Sequence, residues 1–132
     1  QEINIFLINN QYYFLDLPGY GFAKASHEDR ERLQKLINWY LFDSHYIQKK
    51  VVFIIDAKVG LTDSDIETLN TLEEYKKDII VVANKIDKIK KSEQAKQLKI
   101  IQNAVGYHKI IPYSSEERVG IDDLLRELFQ DG

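Results

Sequence analysis

Cysteine and methionine are both absent from the 132 residues. Without cysteine the chain has no disulfide and no thiolate metal ligand, which suits a reducing compartment, and we expect the cytoplasm. Without methionine it lacks an initiator. It opens at Gln1 and enters an apolar stretch almost at once, so we expect an internal piece of a longer protein. No apolar run nears the roughly 20 residues that span a bilayer, and no leader-like pattern opens the chain; no membrane partner is expected. Histidine is scarce, and His27, His45 and His108 show no ligand spacing, so they read as surface or capping residues. The net charge of −3 gives no global pull toward nucleic acid, and any RNA-facing surface must be local.

What is present suits a single α/β domain: 44% hydrophobic and 30% charged residues, with apolar runs alternating with helical patterns. Ile3 to Ile8 reads as a strand, Asn9-Asn10 as a turn and Tyr12 to Leu15 as the hairpin partner. Ser26 with Asp29 resembles a capping box. Leu33, Leu36, Ile37, Tyr40 and Leu41 follow at helical spacing, with Trp39 expected in the core. Val51 to Ile55 and Ile79 to Ala83 are continuous β-rich runs, as in strands buried on both faces. Between them Thr62 and Asp65 open a helix carried by Ile66, Leu69 and Leu72. Ala95, Leu98, Ile101 and Val105 form a helical stripe ending near Gly106, and Lys109 to Tyr113 is a short last strand. Gly120 precedes a closing amphipathic helix, Ile121 to Phe129. Asp63, Asp65 and Glu67 suit a helix dipole. The lysines at 85, 88, 90, 91 and 96 read as a solvated face rather than an RNA-facing edge.

Chemistry concentrates at strand ends, where ligands of such sheets bind. Asp16-Leu17-Pro18-Gly19-Tyr20-Gly21-Phe22-Ala23 puts a carboxylate behind a strand and then two glycines, whose N–H groups can approach a phosphate without a Cβ in the way. Asn84-Lys85-Ile86-Asp87 follows the second buried run. A carboxylate there can accept the paired N1–H and N2 donors of guanine, which adenine does not present. Asn84 can reach N7 or brace the loop, and the Lys85 stem can lie on the base plane. Ser114-Ser115-Glu116, after the last strand, gains weight only as the third such motif in order.

Strung together, the three motifs look like the third to fifth signature motifs of Ras-like P-loop GTPases. The stretch Asp16 to Lys24 closely resembles the signature of the YihA/EngB (YsxC) family of bacterial ribosome-assembly GTPases, within the TrmE-Era-EngA-YihA-Septin-like group. Ile3 to Asn9, Asp56-Ala57, Leu61-Thr62 and Ser114-Ser115 are similar as well. The resemblance implies a Ras-like P-loop GTPase fold: a mixed, mostly parallel sheet with helices on both faces. Residues 1–132 then form the C-terminal portion of one G domain. It implies GTP or GDP and Mg²⁺ as ligands, a large ribosomal subunit particle as partner, a link to cell division and septation, and a monomer when intact. Asp16, Leu17, Pro18 and Gly19 are implied to face the γ-phosphate, with Asp16 acting on Mg²⁺ through water. Asn84, Lys85, Ile86 and Asp87 are implied to hold guanine, and Tyr113, Ser114 and Ser115 to close over it. Gln1 and Glu2 are implied to be the remnant of switch I.

Two departures carry weight. No Gly-x-x-x-x-Gly-Lys-Ser/Thr occurs in the chain, so the phosphate loop and the first strand are missing, as is the switch I threonine. By the resemblance that strand lies between the strands at Tyr12–Asp16 and Val51–Asp56, so these 132 residues alone are expected to be unstable or to borrow a strand from elsewhere. Tyr20 stands where many GTPases place a water-orienting Gln, which implies slow intrinsic hydrolysis. Tyr20 and Phe22, with Lys24, offer contacts to a partner or pack locally. The main rival reading is a binding module without turnover, and a second is an ATP-binding protein, against which Asp87 argues.

Overall fold

The computed structural model describes residues 4–8, 12–16 and 27–129, with side chains at most positions from residue 28 onward. The chain divides into two compact units, Gln1–Ile47 and Gln48–Gly132.

In the first unit, β1 (Asn4–Ile8) and β2 (Tyr12–Asp16) pair antiparallel, with Asn4 opposite Asp16 and Ile8 opposite Tyr12. The turn expected at Asn9-Asn10 and the capping role of Ser26 lie outside the described residues. Helix α1 (His27–Asn38) runs into a π turn, Trp39–Asp43. The Ser44 N–H closes that turn on the Trp39 carbonyl at 2.7 Å, and the Ser44 hydroxyl donates to the Tyr40 carbonyl at 2.6 Å. Ile37, Tyr40 and Leu41 are buried, whereas Trp39 is 49% exposed. The expectation of a core tryptophan therefore fails. At about 100° per residue, Trp39 falls opposite the stripe that Ile37, Tyr40 and Leu41 define.

The second unit is a three-stranded parallel sheet in the order β3 (Val51–Asp56), β4 (Ile79–Asn84), β5 (Lys109–Pro112). Helices α2 (Asp63–Glu74) and α3 (Lys91–Val105) make the crossovers, and α4 (Ile121–Phe129) follows β5. Central β4 is buried from Ile79 through Ala83, as its apolar run requires. Strand β3, at the edge of the sheet among the described residues, is not covered on both faces: Phe53 and Ile55 are buried, but Ile54 is 63% exposed. A continuous apolar run states that a strand is hydrophobic; its place in the sheet decides whether both faces are covered.

Thr62 and Asp65 form the expected capping box. The Asp65 N–H donates to Thr62 Oγ1 at 3.1 Å, and the Thr62 N–H donates to the Asp65 carboxylate at 2.9 Å. Leu69, Leu72, Ile101 and Val105 are buried as expected, while Ile66 and Ala95 near the helix starts are exposed. His108 departs from the surface role expected of it. It is buried, with Nε2 2.7 Å from Glu73 Oε1, tying the end of α2 to the entry of β5.

Candidate functional site

In the second unit the strand ends form one tied edge. Asp56 and Asn84 are register partners, as are Ala83 and Pro112. The ladder continues beyond the strands: the Ala57 N–H donates to the Asn84 carbonyl at 2.8 Å, and the Tyr113 N–H to the Ala83 carbonyl at 2.9 Å. The Ile86 N–H then donates back to the Tyr113 carbonyl at 3.0 Å. The loops after β3, β4 and β5 are thus joined through their backbones, and the Asn84–Asp87 and Tyr113–Ser115 motifs meet.

The turn that carries Asp87 is built in two moves. Lys85 adopts a left-handed conformation (φ 62°), which swings the chain out of the β4 direction. A single 3₁₀ turn, Ile86–Lys88, follows, anchored by buried Ile86. From α3, the Gln94 side-chain amide donates to the carbonyls of Ile86 and Ile89, both at 3.1 Å. One turn along the same helix, the Gln97 amide donates to the Ala57 carbonyl at 2.9 Å. The Asp56 carboxylate closes its own loop by accepting the N–H groups of Lys58 and Val59 at 2.8 and 3.1 Å.

Asp87 is the focus of this arrangement. Its side chain is only 9% exposed. The Ser114 hydroxyl beside it is the main influence holding the carboxyl below its usual 3.8. Burial opposes that shift, while Asp87's own backbone N–H and the Lys88 ammonium add to it. Ser114 is 1% exposed and serves two neighbours, because its oxygen also accepts the Glu117 N–H at 3.1 Å. With that lone pair engaged, the hydroxyl proton is available to the carboxylate. Lys88 lies 3.7 Å from Asp87 Oδ2 and 3.6 Å from Glu116 Oε2, linking the two motifs by charge.

The segment after β5 is pinned by reciprocal bonds between Ser114 and Val119, both 3.0 Å. It then turns at Gly120 (φ +86°), where a Cβ would lie 2.1 Å from the Pro112 carbonyl oxygen. Only glycine fits there. The arrangement presents an ionised, pre-oriented carboxylate beside the exposed Lys85 stem, half-buried Asn84 and Tyr113, and exposed Ser115. An acceptor pair held this way suits a planar ligand edge with two parallel donors.

Of the residues expected at a site, Asn84, Lys85, Asp87, Tyr113, Ser114 and Ser115 gather on this edge, and Ile86 serves as the apolar anchor. Asp16 ends β2 in the first unit; its side chain, with Gln1, Glu2, Leu17, Pro18 and Gly19, lies outside the described residues. The sequence reading missed Gln94 and Gln97, took Lys88 for a solvated face and gave Gly120 no part in the site. Their signal was faint: a glutamine on a helix pattern reads as surface, and its carbonyl partners are visible only once the loops are folded.

The chain is similar to known GTP-binding proteins. Residues 45–131 match the family model of the elongation factor Tu GTP-binding domain, and residues 1–85 match that of the 50S ribosome-binding GTPase. A crystal structure of a probable GTP-binding protein EngB superposes with a TM-score of 0.83 over 97% of this chain and 81% of its own, at 23% identity. Fold and matches define the class as an α/β domain of the Ras-like P-loop GTPases. Probable GTP-binding protein EngB from Thermosipho africanus is 42% identical over 131 residues, 97% of this chain and 68% of its own length. Its counterpart from Clostridium acetobutylicum is 36% identical over 129 residues, 96% and 64% of the two chains. The chain belongs to the EngB family of GTP-binding proteins, and it spans about two thirds of the length of these curated relatives.

Proposed function

We propose that this chain is the C-terminal, guanine-recognising portion of a single G domain. The full protein is read as a GTP-hydrolysing switch in assembly of the bacterial large ribosomal subunit, with a link to cell division and septation. The observation that carries the reading is the Asp87 carboxylate, charged, nearly buried and held by Ser114 on three joined loops, in a chain of the EngB family. Asp87 accepts the N1–H and N2 donors of guanine. Asn84 braces the loop or reaches N7, the Lys85 stem covers one face of the base, and Tyr113, Ser114 and Ser115 close the other side. Asp16, Leu17, Pro18 and Gly19 report on the γ-phosphate, with Gln1 and Glu2 at the end of switch I.

Magnesium, a hard cation, takes oxygen donors. Asp16 is the residue of this chain assigned to it, through water. The phosphate loop comes from chain outside these 132 residues. Tyr20, in place of Gln, makes intrinsic hydrolysis slow, and the helper is a partner, a bound monovalent cation or another residue. The protein works as a cytoplasmic monomer.

The full-length protein, titrated with GDP against ADP, should prefer GDP, and Asp87→Asn should weaken GDP by roughly 10- to 100-fold, since the amide sets a donor where guanine needs an acceptor. Equal affinity for the two nucleotides overturns the reading. A binding module without turnover is the second reading, favoured by the lack of any Gly-x-x-x-x-Gly-Lys-Ser/Thr in the chain. Turnover by the full-length protein on large-subunit particles decides against it.

A further inference from the structure

The helices of the second unit differ in the charge at their starts. The first turn of α2 carries Asp63 and Asp65, and that of α4 carries Asp122 and Asp123. Such acids complement the positive end of the helix dipole. Helix α3 instead has Lys90 at its N-cap with no side-chain cap and Lys91 at its first position; Glu93 is its first-turn acid. Lysines there add like charge to a positive terminus. A local rule broken without a compensating contact is a sign of function elsewhere.

No compensating contact is present. Lys90, Lys91, Lys96 and Lys99 are exposed, and none has a side-chain ion pair or hydrogen bond among the described residues. Glu93 stands three residues from both Lys90 and Lys96, yet bridges to neither. Lys50, Lys88 and Arg126, by contrast, each meet a carboxylate. Six lysines and two acids stand between Lys85 and Lys99, in a chain of net charge −3.

The outward face of α3 is specific in composition. At about 100° per residue, Ser92, Lys96, Lys99 and Asn103 fall within about 60° of arc. Lys91 stands on the rim, and Ile101 and Val105 are buried on the opposite side. We propose that this face binds the sugar–phosphate backbone of a folded RNA. Lysines meet phosphates as point charges, and serine and asparagine hydrogen-bond to phosphate or the 2′-hydroxyl.

Other anionic partners fit less well. No aromatic residue occurs from Lys90 to Asn103, so this stretch offers unpaired bases no stacking platform, and the nearest exposed ring, Tyr107, lies beyond the helix. The apolar side of α3 is used in the core, so the helix cannot lie in a membrane surface. Protein interfaces are poor in lysine and rich in aromatic anchors, whereas this face has one exposed large apolar residue on its border, Ile100, 53% exposed. The inference rests on the proposed ribosomal role only for which RNA is bound.

The test uses the full-length protein and two variants, Lys96→Glu/Lys99→Glu and Lys96→Gln/Lys99→Gln. Binding to protein-free large-subunit ribosomal RNA and to large-subunit particles is measured across a salt series, with GDP affinity in parallel. The Glu pair should weaken RNA binding at least about tenfold at moderate salt, and the Gln pair should lower the log–log salt slope by about one per lysine. GDP affinity should stay within about twofold of the parent, because the two lysines take no part in the base loops. If the Glu pair loses GDP binding through misfolding, the Gln pair alone decides. Unchanged RNA affinity and slope overturn the inference. Loss of particle binding with protein-free RNA binding intact also overturns it, assigning the face to a ribosomal protein. Lysine-dependent RNA binding without any particle binding leaves this inference standing and removes the ribosomal role.

Discussion

Asp87 keeps its charge because its neighbours donate to it, Ser114 first among them. Its folded pKa lies below 3.8, so the stabilisation its ionised form adds is complete above that value. It fades as pH falls from 3.8 through the lowered folded value. At neutral pH the carboxylate is fully ionised and its acceptor role does not titrate. Ser114→Ala should raise the Asp87 pKa toward 3.8, which carbon-detected NMR titration of the full-length protein can follow. The same change strips the Glu117 N–H of its acceptor and should destabilise by about 1–3 kcal/mol in a denaturant melt. An unmoved pKa would show that Ser114 is packing rather than holding the carboxylate.

At the scale of elements, α3 is the organiser of the site. Gln94 and Gln97, one turn apart, reach two different loops, so the base loop and the loop after β3 move with one helix. Helix α2 depends on its start: both halves of the Thr62–Asp65 box are formed. Thr62→Ala should cost about 1 kcal/mol, read as a lower denaturation midpoint with an unchanged slope. No loss would mean that the Asp65 carboxylate suffices as the cap. The π turn after α1 changes the winding of the chain before Ser44 closes it, a step no 3.6-residue pattern announces.

For the whole molecule, the decisive feature is the edge of the parallel sheet. Among the described residues β3 has one ladder neighbour, and Ile54 presents its side chain to solvent. Unpaired edge groups beside exposed apolar surface favour association or unfolding. The 132 residues expressed alone should therefore show no sharp, cooperative thermal transition, while the full-length protein should. Calorimetry on both tests this. A cooperative melt of the isolated chain would show that the β3 edge needs no partner strand.

Local chemistry was legible without coordinates wherever neighbours in sequence settle the matter. The Thr62–Asp65 box, the helix stop at Gly106, the buried β4 run and the Asn84–Asp87 and Ser114–Ser115 motifs all depend on spacing of a few residues. Only the tertiary structure decided what depends on distant parts of the chain. It exposed Ile54, buried His108 against Glu73 and aimed Gln94 and Gln97 at loop carbonyls. It also set the Ser114 hydroxyl beside the Asp87 carboxylate. Burial and hydrogen bonding between distant segments depend on which surfaces meet, and no local periodicity encodes that.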